Sequence, residues 1–124
     1  MTIAGNAIRL VWSAAFLGGA FNHARQILAG GWMPYSFAPA ALNLFWTLLL
    51  PIDLLVVALL WWKVRAGAVL GLVVMVADVA INSGFVQAAA SADFPTALFL
   101  QTLFLGFVLG SIAILLGGQA KFVG

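Results

Sequence analysis

Residues 66–89 read AGAVLGLVVMVADVAINSGFVQAA. As a helix the run is long enough to cross a bilayer, for which about 20 apolar residues suffice. It nevertheless carries Asp78 near its middle and Asn82 four residues later. Helical side chains at i and i+4 share a face. A carboxylate at bilayer depth is costly, so this face is expected to look into protein or a cavity and away from lipid. The stretch thus predicts a spanning helix together with a neighbour or cavity for its polar face.

Three further runs have the same character. With 66–90 they give spans at about 5–29, 39–62 and 95–117. A transmembrane barrel would need alternating segments of about ten residues, and these are missing from the pattern. Backbone groups in hydrocarbon must be satisfied within the segment, which leaves helices. The breaks are short: GGWMPYSFAP at 30–39, then Lys63, Val64 and Arg65, then Ser91 to Phe94 leading into Pro95, suited to the first turn of a helix. Short connections make consecutive helices antiparallel neighbours. The expected fold is all-α and integral to the membrane, a four-helix bundle running up-down-up-down in a single domain over 1–124.

Composition agrees. Of 124 residues 65% are hydrophobic and 6% charged, against roughly a quarter charged in soluble domains. The net charge of +2 comes without a basic cluster, which argues against nucleic acid as a partner. There is no cysteine, hence no disulfide and no thiolate metal site. Arg9 followed by LVWSAAFLGGA at 10–20 is reminiscent of a signal peptide, but its apolar part outruns the usual h-region, so a retained first transmembrane helix is expected.

Arg9, Lys63, Arg65 and Lys121 fall on one side of an even number of spans. The positive-inside rule makes that side cytoplasmic, with both termini there, in a multi-pass protein of the cell membrane. Trp32 and Tyr35 are then expected in the outer aromatic belt, Trp61 and Trp62 in the inner one. Counting about 1.5 Å per residue, His23, Asn43, Asn82 and Gln101 lie on the order of 6–12 Å below the outer ends of their helices. Gly67/Gly71 and Gly106/Gly110 are spaced for close backbone approach. These features predict a bundle tight toward the cytoplasm and polar toward the outside. The two glycine faces are also expected to meet a second copy or another membrane protein.

Each polar residue admits a structural and a functional role. Asp78 with Asn82 reads as an interhelical clamp, with Asp78 neutral or paired with Arg25 or Arg9, or as a ligand-binding carboxylate. Asp53, two residues after Pro51, reads as an ion pair with Arg9 or as a stop on a proton path with Asp78. Arg25 lies nearly opposite Arg9 around helix 1 and either snorkels or has a partner. His23 is a hydrogen-bonded structural residue or an acid–base group. Asn43, Gln101 and Thr102 read first as packing hydrogen bonds. Trp46, deeper than the belts, could line a pocket. One histidine without an adjacent carboxylate falls short of a metal site, and haem held by two histidines would need a dimer. No phosphate loop or nucleophile elbow occurs, so no cofactor is expected.

In size and span arrangement, with an Arg near the start of helix 1 (here Arg9), the chain resembles small four-helix bacterial membrane proteins of the DoxX-like type. That resemblance implies the fold and assigns no site residues. Small multidrug transporters are close in length and resemble it less, since their first helix carries a buried Glu and this chain has none. Three functional classes follow. The first is binding or translocation of a small apolar or amphipathic molecule in an outer-half cavity, oriented by Asp78, Asn82, His23 and Gln101 and packed on Trp46. The second is an accessory subunit of a larger membrane complex. The third, ranked last, is a cofactor-free intramembrane isomerase or cyclase using His23 and Asp78.

Overall fold

The computed structural model describes residues 1–88 and 94–118. The elements among them are α1 Ile3–Gly30, α2 Ala40–Trp62, α3 Val64–Ala88 and α4 Phe94–Ala113, with a π-helical turn at Ile114–Gly118. All four helices are long and apolar enough to cross a membrane. The expected spans fall on them; Asp93 and Lys121 lie outside the described residues.

The helix ends have local causes. Thr2 caps α1 by accepting from the Gly5 N–H at 3.1 Å. Gly31 ends it at φ 83 and returns its own N–H to Ile27 O at 2.7 Å, a backbone state that favours glycine. Pro39 opens α2, its carbonyl accepting from Leu42 and Asn43. The link from α2 to α3 is tighter than the three residues expected. Lys63 alone separates the helices, donating to Leu59 O at 2.7 Å and accepting from Gly67 N at 3.0 Å. Pro51 sits inside α2 and deprives the Thr47 carbonyl of its helical donor.

Large side chains fill the centre. Trp12 is fully buried, its indole N–H donating to Ser111 Oγ at 3.0 Å, so the polar atom of the ring is satisfied where water is excluded. Phe104 stands edge-on to both Trp12 and Phe16, at 6.4 and 5.6 Å between ring centres. At the Lys63 end, Trp61 donates to Ser13 Oγ at 2.8 Å and carries the Arg9 guanidinium over its ring at 4.2 Å.

The two glycine pairs behave differently. A Cβ on Gly67 would lie 2.6 Å from Leu60 N and 2.8 Å from Leu59 C, so α2 and α3 touch backbone to backbone there. A Cβ on Gly71 would meet the Trp12 ring at 3.0 Å. The Gly67/Gly71 face, expected to meet a partner, is therefore filled from within the chain. Gly106 and Gly110 are exposed with nothing within 4 Å, so that side of α4 is the one left open.

Gly67→Ala is expected to destabilise the protein by about 1–3 kcal/mol, because backbone and not a flexible side chain must give way. Gly84→Ala, at an open position on α3, should be neutral or stabilising by up to about 1 kcal/mol. Denaturant titration in mixed micelles compares the two; equal behaviour would mean that the α2–α3 contact is not tight.

Candidate functional site

His23, Gln26, Asn43, Asn82 and Gln101 gather toward the end of the bundle that carries residues 31–39. Asn82 Nδ2 donates to Gln101 Oε1 at 2.9 Å, and Asn82 Oδ1 accepts from Trp46 Nε1 at 2.8 Å. One side chain of α3 thereby ties α2 to α4, with Asn82 and Trp46 both buried. Trp46 is also the centre of an aromatic group, edge-on to Tyr35 at 5.3 Å and to Phe85 at 5.1 Å, with Phe37 at 6.0 Å.

Tyr35 departs from its expected place. It is 7% exposed, whereas Trp32 is 67% exposed. The cause is Asn43, which accepts from the Tyr35 N–H at 3.1 Å and donates to Met33 O at 3.0 Å. These bonds fold the connection back onto the bundle and hold Met33 at φ 55, sparsely populated for a residue with a side chain. Asn43 thus serves the connection and lines neither cavity described below.

The Tyr35 hydroxyl donates to Gln26 Oε1 in a short hydrogen bond and stands 2.8 Å from His23 Nδ1. A phenol has one proton to give. With that proton on Gln26, His23 must donate from Nδ1, which leaves Nε2 as the acceptor of a neutral ring. Burial pushes the Tyr35 phenol up from 10.0 to about 12, so it stays a donor through the physiological range. The sequence marks Tyr35 only as a belt aromatic and gives Gln26 no role. The available signal was the i, i+3 pair His23/Gln26 on one face of α1, which needs a polar partner.

Two cavities adjoin here. The outer one, about 680 Å³, is lined by His23, Trp46, Asn82 and Gln101, with Tyr35 and Arg25 also on its wall. The inner one, about 330 Å³, is lined by Asp53, Asp78, His23 and Gln101 among apolar side chains. Gly19, His23, Ala97 and Gln101 line both. All five side chains expected to bind a ligand therefore face this pair of cavities, and Asp53 joins them.

The arginines are not brought to the carboxylates. Arg9 donates to Leu60 O at 3.2 Å and to Asn6 Oδ1 in a short bond, and lies on Trp61. Asp53 instead faces Gly19, where a Cβ would come within 2.9 Å of its Oδ2. Residues 9 and 19 are separated along α1 by roughly 15 Å, so the expected Arg9–Asp53 pair is out of register. Arg25 is exposed and donates to Asn22 Oδ1 at 2.8 Å. No group of three His, Cys, Asp or Glu among the described residues could hold a metal ion.

No protein-family model matches the chain, and neither curated proteins nor solved structures give a match.

Tyr35 is the one tyrosine of the chain, so phenolate absorbance reports it alone. The titration midpoint is expected at about 12 and not near 10.0. The sign follows: folded and unfolded chains both hold the proton below about 10, so the hydroxyl's contribution is intact there and is lost as pH rises toward 12. A midpoint near 10 would place the ring in water.

Proposed function

We propose that the chain is a small multi-pass protein of the cell membrane that binds, or carries across, a small apolar or amphipathic molecule in the polar cavity of its bundle. The observation that carries this reading is that His23, Trp46, Asn82 and Gln101 come from four different helices and line one cavity of about 680 Å³. A mostly apolar pocket with a few convergent polar groups is the usual form of a small-molecule site, and about 300–1,000 Å³ is the usual size. In a bundle whose remaining surface is apolar, such groups have little reason to converge unless something polar or amphipathic meets them.

The helices are taken as up-down-up-down. Contacts between the start of α1 and the end of α2, namely Arg9 with Leu60 and Ser13 with Trp61, support that order. Arg9 and Lys63 then share one end, and by the positive-inside rule this end and both termini are cytoplasmic. The larger cavity lies toward the other end, where Gly30, Pro34 and Tyr35 line it. A second copy or another membrane protein has the Gly106/Gly110 side of α4 open to it.

The test is native mass spectrometry of protein extracted gently from its own membranes, beside Ala97→Trp, which places an indole on the wall common to both cavities. The wild type is expected to carry a stoichiometric small molecule, and the variant to fold and lose it. A wild type with no small molecule but a stoichiometric second protein would replace this reading with that of an accessory subunit.

A further inference from the structure

The inner cavity holds more acceptors than the described residues supply donors for. Asp53 and Asp78 are 4% and 6% exposed, and both line it. Asp78 Oδ1 is sealed from solvent with no hydrogen-bond partner. Neither carboxylate has a hydrogen bond or ion pair with any described residue. His23 adds a third acceptor, since its Nδ1 proton is committed to Tyr35 and its Nε2 remains. The groups facing this space are thus His23 from α1, Asp53 from α2, Asp78 from α3 and the uncharged Gln101 from α4.

Three of the chain's five Lys and Arg side chains are committed elsewhere, and a fourth, Arg65, is exposed at the start of α3. Arg9 is held by Leu60, Asn6 and Trp61, Arg25 by Asn22 at the rim, and Lys63 lies over Trp62 at 4.9 Å. A buried carboxylate without a donor or counter-charge is strongly unfavourable, and a cation with N–H groups supplies both. A bare metal ion fits poorly, because the acceptors do not converge as a metal-binding group. The rest of the wall is apolar, with Phe16, Met75, Leu100 and Phe104, which suits carbon next to the charge.

We infer that the inner cavity takes the protonated end of a small organic amine, its ammonium donating to the carboxylates of Asp78 and Asp53 with His23 facing the same space, while its apolar part extends along the aromatic wall toward the outer cavity. The inference rests on the reading of these cavities as a ligand site and names the class of ligand. Gly19 belongs to the design of the site, because the absence of a Cβ there leaves room for the Asp53 carboxylate.

The experiment compares 2-phenylethylamine with 2-phenylethanol, equal in heavy atoms and differing in charge, by calorimetric titration of the purified full chain in detergent at neutral pH. The amine is expected to bind at least on the order of tenfold more tightly, as a charge-assisted contact in a desolvated site requires. Asp78→Asn should remove that preference while leaving affinity for the alcohol within about twofold. Gly19→Ala, which crowds the Asp53 carboxylate without changing any charge, should reduce the preference in the same direction and serves where Asp78→Asn does not fold. An alcohol that binds as well as the amine, or a preference that survives both substitutions, overturns the amine inference and leaves the ligand-site reading standing. If neither probe binds, the amine inference falls, and the small molecule carried or not carried by the native protein decides the broader reading separately.

Discussion

In helices apolar enough to cross a membrane, polar groups would meet no partner in hydrocarbon and have to find theirs inside the chain. That constraint is visible at each helix junction. The indole of Trp12 goes to Ser111, that of Trp61 to Ser13 and that of Trp46 to Asn82. Each bond joins side chains far apart in sequence, and each fixes the rotation of one helix against another. The Trp46–Asn82–Gln101 relay does so for three helices at once. Such bonds are individually worth only about 0.6 kcal/mol on average in membrane bundles. They select among rotations of otherwise featureless apolar surfaces, and their number matters more than their strength.

Close packing acts at the opposite end. Gly67 lets the α3 backbone rest on Leu59 and Leu60, and Gly71 lets the Trp12 ring approach α3 closely. With α2 and α3 pinned there by a one-residue link, the other end has space to hold. The connection at 31–39 then becomes part of the interior. Asn43 draws it inward, Tyr35 follows, and its hydroxyl settles the proton positions of His23 and Gln26. The geometry of the cavities thus depends on a loop as well as on the helices.

The four helices were legible because span length and apolar composition are properties of a segment by itself. The burial of Asp78 and Asn82 on one face was legible for the same reason, since it follows from helical spacing and the cost of charge in lipid. Partners were not legible. Arg9 and Asp53 lie at broadly similar depth by residue counting, yet the real register sets Arg9 beside Leu60 and Asp53 beside Gly19, a difference no single helix encodes. The two glycine pairs have identical spacing, and only one is used within the chain, because spacing describes a flat face and not what lies against it. Trp32 and Tyr35 looked alike as interfacial aromatics; the Asn43 bonds to the connection separate them.

The same constraint sorts structural from functional groups. Asn43, Asn82, Ser13 and Ser111 have their hydrogen bonds met within the chain, and their burial needs no further cause. Asp53 and Asp78 have no hydrogen bond with any described residue, although they are as deeply buried as the satisfied residues. A clamp between helices would have placed a donor opposite each carboxylate, as Asn82 has Trp46. Nothing in folding alone recommends leaving two carboxylates without partners in the lining of one cavity when Asn or Leu would pack there at lower cost. Their presence makes sense where the missing donor arrives from outside the chain, and the neutral acceptor left on His23 faces the same space. The groups whose hydrogen bonding the bundle leaves incomplete are therefore the ones to which a ligand's chemistry should be matched.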